Sequence, residues 1–227
     1  MKNSMVQVPG ADGKRVLDSY FVKPEGDGPF PAVLVIHEVF GLNDNIRGIA
    51  DQFAAEGFAA LAVDLFANRP RPYCLMQAFH GLMFKPLDNP MLADLRGTVT
   101  FLATLPGVDP KRIGAVGFCM GGGYALQLAF TESGLKAASS FYGSAPKPLA
   151  VMASACPMMG SYPEKDFTTQ SARELEAALV ERDVAHDFKY YANTAHSFFN
   201  RPRSEFEVEA SKDSWQRMLA FFAQHIA

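Results

Sequence analysis

The chain has 227 residues, 48% of them hydrophobic and 20% charged, enough for one α/β domain with a sizeable core. Its formal net charge of −3, with no basic run, argues against nucleic acid or an anionic membrane surface as a partner. Three cysteines, Cys74, Cys119 and Cys156, include no pair at CxxC spacing, which argues against a disulfide framework or a zinc site.

The opening MKNSMVQVPGADGKRV has no apolar core of signal-peptide length, and no window approaches the ~18 apolar residues of a membrane span. With the cysteine usage, this leads us to expect a cytoplasmic protein. MVQV, the turn PGADGK and RVLDSYFVKP read as a hairpin. AVLVIHEVF (32–40) is a continuous apolar run, as in a strand covered on both faces. Asn43 or Asp44 is placed to cap a helix in which Ile46, Ile49, Ala50 and Phe53 form one stripe, and Gly57 ends it. FAALAVDLF (58–66) predicts a second buried strand.

Residues 67–90 break this rhythm with Pro70, Pro72, Pro86 and Pro90 and read as a lid-like excursion. A helix resumes near Met91 and carries Leu92, Leu95, Val99 and Leu102. RIGAVGF (112–118) predicts the third buried strand and GGGYALQLAFTES its helix. KAASSFYGSA and CPMMGSY predict two more strands, and SARELEAALVERD an amphipathic helix. AHDFKYYANTAHSFF reads as a strand and loop, SWQRMLAFFAQHI as the closing helix. No repeat or linker divides the chain. The expectation is a single α/β domain over 1–227, a mostly parallel sheet with helices on both faces. Its sites should lie outside the C-terminal ends of the strands.

Gly117-Phe118-Cys119-Met120-Gly121 sits between a buried strand and a helix, the G-x-Nu-x-G pattern of a nucleophile elbow with cysteine as the nucleophile. A turn this tight strains the nucleophile's backbone, and side chains at the flanking positions would collide with the neighbouring strand and helix. The helix N-terminus favours thiolate over thiol, and the Met120 N–H is placed to bind an oxyanion. A phosphate cradle is the rival reading of GGG, but the run fits neither G-x-G-x-x-G nor a Walker loop.

A nucleophile needs a base, and the base an orienting acid, here expected in the order acid, then histidine. Downstream histidines are His186, His196 and His225. His225 falls in the closing helix and His186 at the start of a strand. His196 lies past that strand's end, on the expected active face. Asp166, after the strand PMMGSY, is the candidate acid, with Glu164 its local competitor. Glu38 stands where partial burial is expected, and a carboxylate there costs several kcal/mol unless paired.

HEVFG (37–41), GFCMGGG (117–123), the Asp166 segment and AHSFFN (195–200), in that order, resemble the dienelactone hydrolase family. The resemblance implies the α/β-hydrolase fold and a Cys-His-Asp triad of Cys119, His196 and Asp166. It also implies that Glu38 contacts and helps activate the thiol, and that the Val39 N–H is the second oxyanion donor. Tyr142 and Ser197 fall at positions resembling pocket residues of the family. Members acting on dienelactone hold its carboxylate with arginines; here Arg69, Arg71 and Arg201 are the candidates. Past the histidine, Asn200 takes the place matching the family's second arginine, with Arg201 one position later.

The expectation is a carboxylic ester or lactone hydrolase, acting on a small molecule through a thioester, with no metal or organic cofactor. A non-catalytic binding relative of the fold and a redox-active thiol protein are the alternatives. The aromatic and methionine side chains of 67–90 (Tyr73, Met76, Phe79, Met83, Phe84) suggest lid packing or an apolar pocket wall. Oligomeric state is not legible.

Overall fold

In the computed structural model, residues 1–67, 69–147, 149 and 155–227 are described; Asn68 of the excursion lies outside them. The N-terminal hairpin forms as expected, β1 (Lys2–Pro9) pairing antiparallel with β2 (Val16–Lys23). The apolar runs become β3 (Phe30–Ile36), β4 (Ala59–Val63), β5 (Val108–Phe118), β6 (Ala137–Phe141), β7 (Met158–Pro163) and β8 (His186–Tyr191). All join one sheet of order β1-β2-β4-β3-β5-β6-β7-β8, parallel from β4 to β8.

The period-2 alternation of side chains divides each apolar run between two cores. In β3, Ala32, Leu34 and Ile36 face one side, and Val33 and Val35 the other. The first side is covered by α3 (Pro90–Leu102), α4 (Met120–Thr131) and α5 (Thr169–Glu181), through Leu95, Leu126, Leu128 and Leu175. The second is covered by α1 (Asp44–Ala55) and α6 (Val208–His225), whose Phe53, Trp215 and Phe222 rings cluster together.

Asn43 is the cap of α1, its side chain accepting the Ile46 N–H at 3.1 Å. The excursion holds a helix of its own, α2 (Arg71–Phe84). Two of its prolines bracket that helix rather than break it: Pro72 is in the first turn, where its missing N–H costs nothing, and Pro86 lies just beyond the end. Tyr124 of α4 donates its hydroxyl hydrogen to the Ala78 carbonyl of α2 at 3.0 Å, fastening the excursion to the central helix. Among the described residues, no helix is long and apolar enough to cross a membrane.

Candidate active site

Cys119 is the single residue between β5 and α4, with φ 53° and ψ −116°. That region is costly for any residue with a Cβ, about 1–3 kcal/mol. Backbone packing enforces it. A Cβ on Gly117 would run into the Gly121 carbonyl, and a Cβ on Gly121 into the carbonyl of Ile36. With glycine at both positions, α4 starts almost in contact with β3 and β5. Cys119, the one residue between strand and helix, sits at the C-terminal end of β5 and lines a cavity there. Met120 is the first residue of α4, so no carbonyl of its own helix accepts its N–H.

His196 follows β8, and its Nδ1–H donates to Asp166 Oδ2 at 2.8 Å. Asp166 follows β7, and the same oxygen accepts the Thr168 hydroxyl at 2.6 Å. Burial opposes ionisation of Asp166, but the bonds from His196 and Thr168 outweigh it and hold the carboxyl below its ordinary value. Burial also opposes charge on His196, yet Asp166 and the nearby Cys119 raise the ring from its ordinary 6.5 to about 9. Its Nε2 is buried with no formed hydrogen bond, so it is the nitrogen left for the sulfur and a reacting group. The Phe167 ring stacks on the imidazole with centroids 4.7 Å apart. Sequence reading placed His196 and Asp166 but missed Thr168 and Phe167, which carry no motif.

Glu38 is 2% exposed. It accepts the Ser197 hydroxyl at 3.2 Å and a short hydrogen bond from Asn200 Nδ2. Burial pushes its carboxyl up in spite of these bonds. No formed bond joins it to Cys119 among the described residues. Asn200, which stands in the place past the histidine, is turned inward and holds Glu38. The signal for this was an amide closing the apolar run FFN. His37 is buried and fixes the loop: its Nδ1–H donates to the Glu38 carbonyl at 2.6 Å, and its Nε2 accepts the Leu65 N–H at 3.1 Å. Both nitrogens are engaged and burial lowers the ring's pKa, so it is neutral.

Tyr142 is fully buried, with φ 43° and its ring 4.9 Å from that of His196. Its hydroxyl makes no formed hydrogen bond, and burial with the neighbouring Glu38 and Cys119 pushes its pKa far up. A cavity of about 510 Å³ opens beside Cys119 and His196, walled by Met120, Tyr142, Phe79, Leu82, Met83 and Phe167. Lys147 reaches its rim, paired with Glu174 at 2.9 Å.

None of the three candidate arginines lines this cavity. Arg69 donates to Gln77 at 2.9 Å and lies over the Tyr73 ring. Arg71 donates to the Val39 carbonyl from Nη2 at 2.6 Å and from Nε at 3.2 Å. Arg201 lines a separate cavity with Phe199 and Trp215. Ser197 is spent on Glu38 rather than the cavity wall. His186 bonds the Val184 carbonyl, and Glu164 is exposed. Among the described residues, no group of three or more His, Cys, Asp or Glu is arranged to hold a metal.

A mostly parallel sheet with its strained turn between a central strand and a buried helix defines the α/β-hydrolase class. Within it, the profile of the dienelactone hydrolase family matches residues 17–226, and the chain belongs to that family. It is 32% identical to the "Putative carboxymethylenebutenolidase" of Yersinia pestis, over 92% of this chain and 84% of that one. The Synechocystis protein of the same description is 28% identical, over 98% and 96%. A crystal structure described as a "Putative Dienelactone Hydrolase" from Klebsiella pneumoniae is similar with a TM-score of 0.85 at 28% identity, covering 99% of both chains.

Proposed function

We propose that the chain hydrolyses a carboxylic ester or lactone by a Cys119-His196-Asp166 triad. The observation that carries this is the His196 ring: Asp166 holds one nitrogen, the other is buried with no hydrogen bond, and the ring lines the same cavity as Cys119. With its pKa raised to about 9, the ring is an imidazolium at neutral pH, suited to pairing with a thiolate. The sulfur attacks the substrate carbonyl, and the N–H groups of Met120 and Val39 receive the oxyanion. Collapse breaks the ester C–O bond, and His196 gives its proton to the departing oxygen. Water then attacks the thioester, His196 takes a proton from it, and the acid leaves Cys119 free.

The His196 charge favours the ionised form of Glu38, against the burial that raises its carboxyl. Family resemblance and relatives described as carboxymethylenebutenolidases support the ester and lactone class. A non-catalytic relative would have no use for backbone strain held at Cys119.

The test is turnover of p-nitrophenyl butyrate and an unsaturated γ-lactone by wild type, Cys119→Ala and His196→Ala, with mass spectrometry of the protein. Wild type is expected to turn over at least one of them, with losses of about 10³-fold or more in each variant. An acyl mass should appear on the Cys119 peptide of His196→Ala. Turnover unaffected in Cys119→Ala would overturn the proposal.

A further inference from the structure

The charges and the walls of the cavity beside Cys119 point in one direction. The lining includes Phe79, Leu82 and Met83 of α2 and Phe167, whose ring stacks on His196. Phe79, Met83 and Phe167 are 45%, 67% and 76% exposed, so they hold apolar surface in water. An apolar group seated there removes that surface from water.

Of the polar side chains in the lining, Tyr142 and His196 lie at the reaction centre beside Cys119, while Thr168, Ser171 and Lys147 are already committed. The Thr168 hydroxyl donates to Asp166, and the Ser171 hydroxyl donates to the Thr168 carbonyl and accepts the Ala145 N–H. Lys147 is ion-paired to Glu174 at the rim. Arg69, Arg71 and Arg201 are absent from this lining: Arg69 bonds Gln77 through Nη1, Arg71 bonds the Val39 carbonyl, and Arg201 lines another cavity. A substrate carboxylate in this cavity would leave water without a guanidinium to receive it, an unfavourable transfer.

We infer that the substrate is an ester or lactone with an uncharged, apolar acyl group, selected by Phe79, Leu82, Met83 and Phe167. The inference rests on the hydrolase reading above. It concerns the acyl side because that part stays bonded to Cys119 through both halves of the reaction, so the walls beside the sulfur act on it twice.

The experiment compares kcat/KM for p-nitrophenyl acetate, p-nitrophenyl hexanoate and the p-nitrophenyl monoester of adipic acid. The last two share chain length and differ in a terminal carboxylate. Hexanoate is expected to exceed both acetate and the adipate monoester by about tenfold or more. Phe79→Ala should narrow the hexanoate-to-acetate ratio. Met83→Arg should raise the adipate-to-hexanoate ratio by about tenfold. Wild-type turnover with adipate equal to or better than hexanoate would overturn this inference and leave the hydrolase reading standing. No turnover of any of the three would overturn both.

Discussion

Cys119 stores backbone strain, and that strain is measurable apart from the proposed chemistry. At φ 53° and ψ −116° an alanine is as strained as the cysteine, whereas a glycine is not. Cys119→Ala and Cys119→Gly both lose the thiol, so activity does not separate them. The strain of about 1–3 kcal/mol exceeds the about 0.4–1 kcal/mol by which glycine's freedom favours the unfolded chain. Cys119→Gly is therefore expected to be the more stable of the two in denaturant melts. The reverse order would mean that the elbow is relaxed.

Glu38 carries a similar trade. Burial raises its carboxyl, so its ionised form costs stability above the ordinary carboxylate range, and the cost grows as pH rises through the folded value. Glu38→Gln removes it, and Asn200 Oδ1, now without a partner, can turn to accept from the new amide. At pH 8 the variant is expected to melt higher than wild type by about 2–4 °C, the response to about 1 kcal/mol. The gap should close toward pH 4, and catalysis should suffer. An equal gap at both pH values would place the effect in packing rather than charge.

Among the elements, α2 is where sequence and structure part. Its prolines read as breaks because a helix interior rejects proline, yet a first turn accepts it, and only position relative to the helix end distinguishes the two. The strands were legible because a run such as AVLVI in a two-faced sheet needs no partner to be recognised. The placement of Cys119 and His196 in the fold was legible because glycines and a strand end mark them locally. Thr168, Phe167 and the inward turn of Asn200 depend on which loops meet, which spacing does not record.

The same holds for Arg71, which the sequence suggests as a carboxylate clamp. Its guanidinium instead ties the start of α2 to the loop that carries Glu38 and Val39. On the proposed mechanism, that makes it a positioning residue for the Val39 N–H. Arg71→Met keeps the stem and loses both donors. It is expected to lower kcat about tenfold, less than the removal of an oxyanion donor itself, with a smaller change in KM. Arg71→Lys, with one donor in reach, should recover part of the loss. A change confined to KM, or no rescue by lysine, would argue against the positioning role.

At the scale of the molecule, four loops converge because β3, β5, β7 and β8 are parallel and end on one edge of the sheet. Residues far apart in the chain, 38, 119, 166 and 196, then share one site. This lateral order was not legible, since hydrophobic period reports which faces are covered and not which strand lies beside which. The convergence couples folding to protonation. The folded pKa of His196, about 9, lies above its ordinary 6.5, so its proton stabilises the folded chain. That contribution is complete below about pH 6.5 and disappears as pH rises through about 9. Asp166→Asn removes the carboxylate that holds the ring's charge, so the folded value falls. The melting-temperature gap between wild type and Asp166→Asn is therefore expected to be widest near pH 6.5 and to shrink by pH 10. Over the same range, the alkaline limb of kcat/KM should move to lower pH in the variant, because the proton that the proposed mechanism delivers to the leaving oxygen is lost sooner. A gap that stays constant from pH 6.5 to pH 10 would mean that Asp166 acts only as a hydrogen-bonding brace and that the imidazolium is not what the folded chain holds.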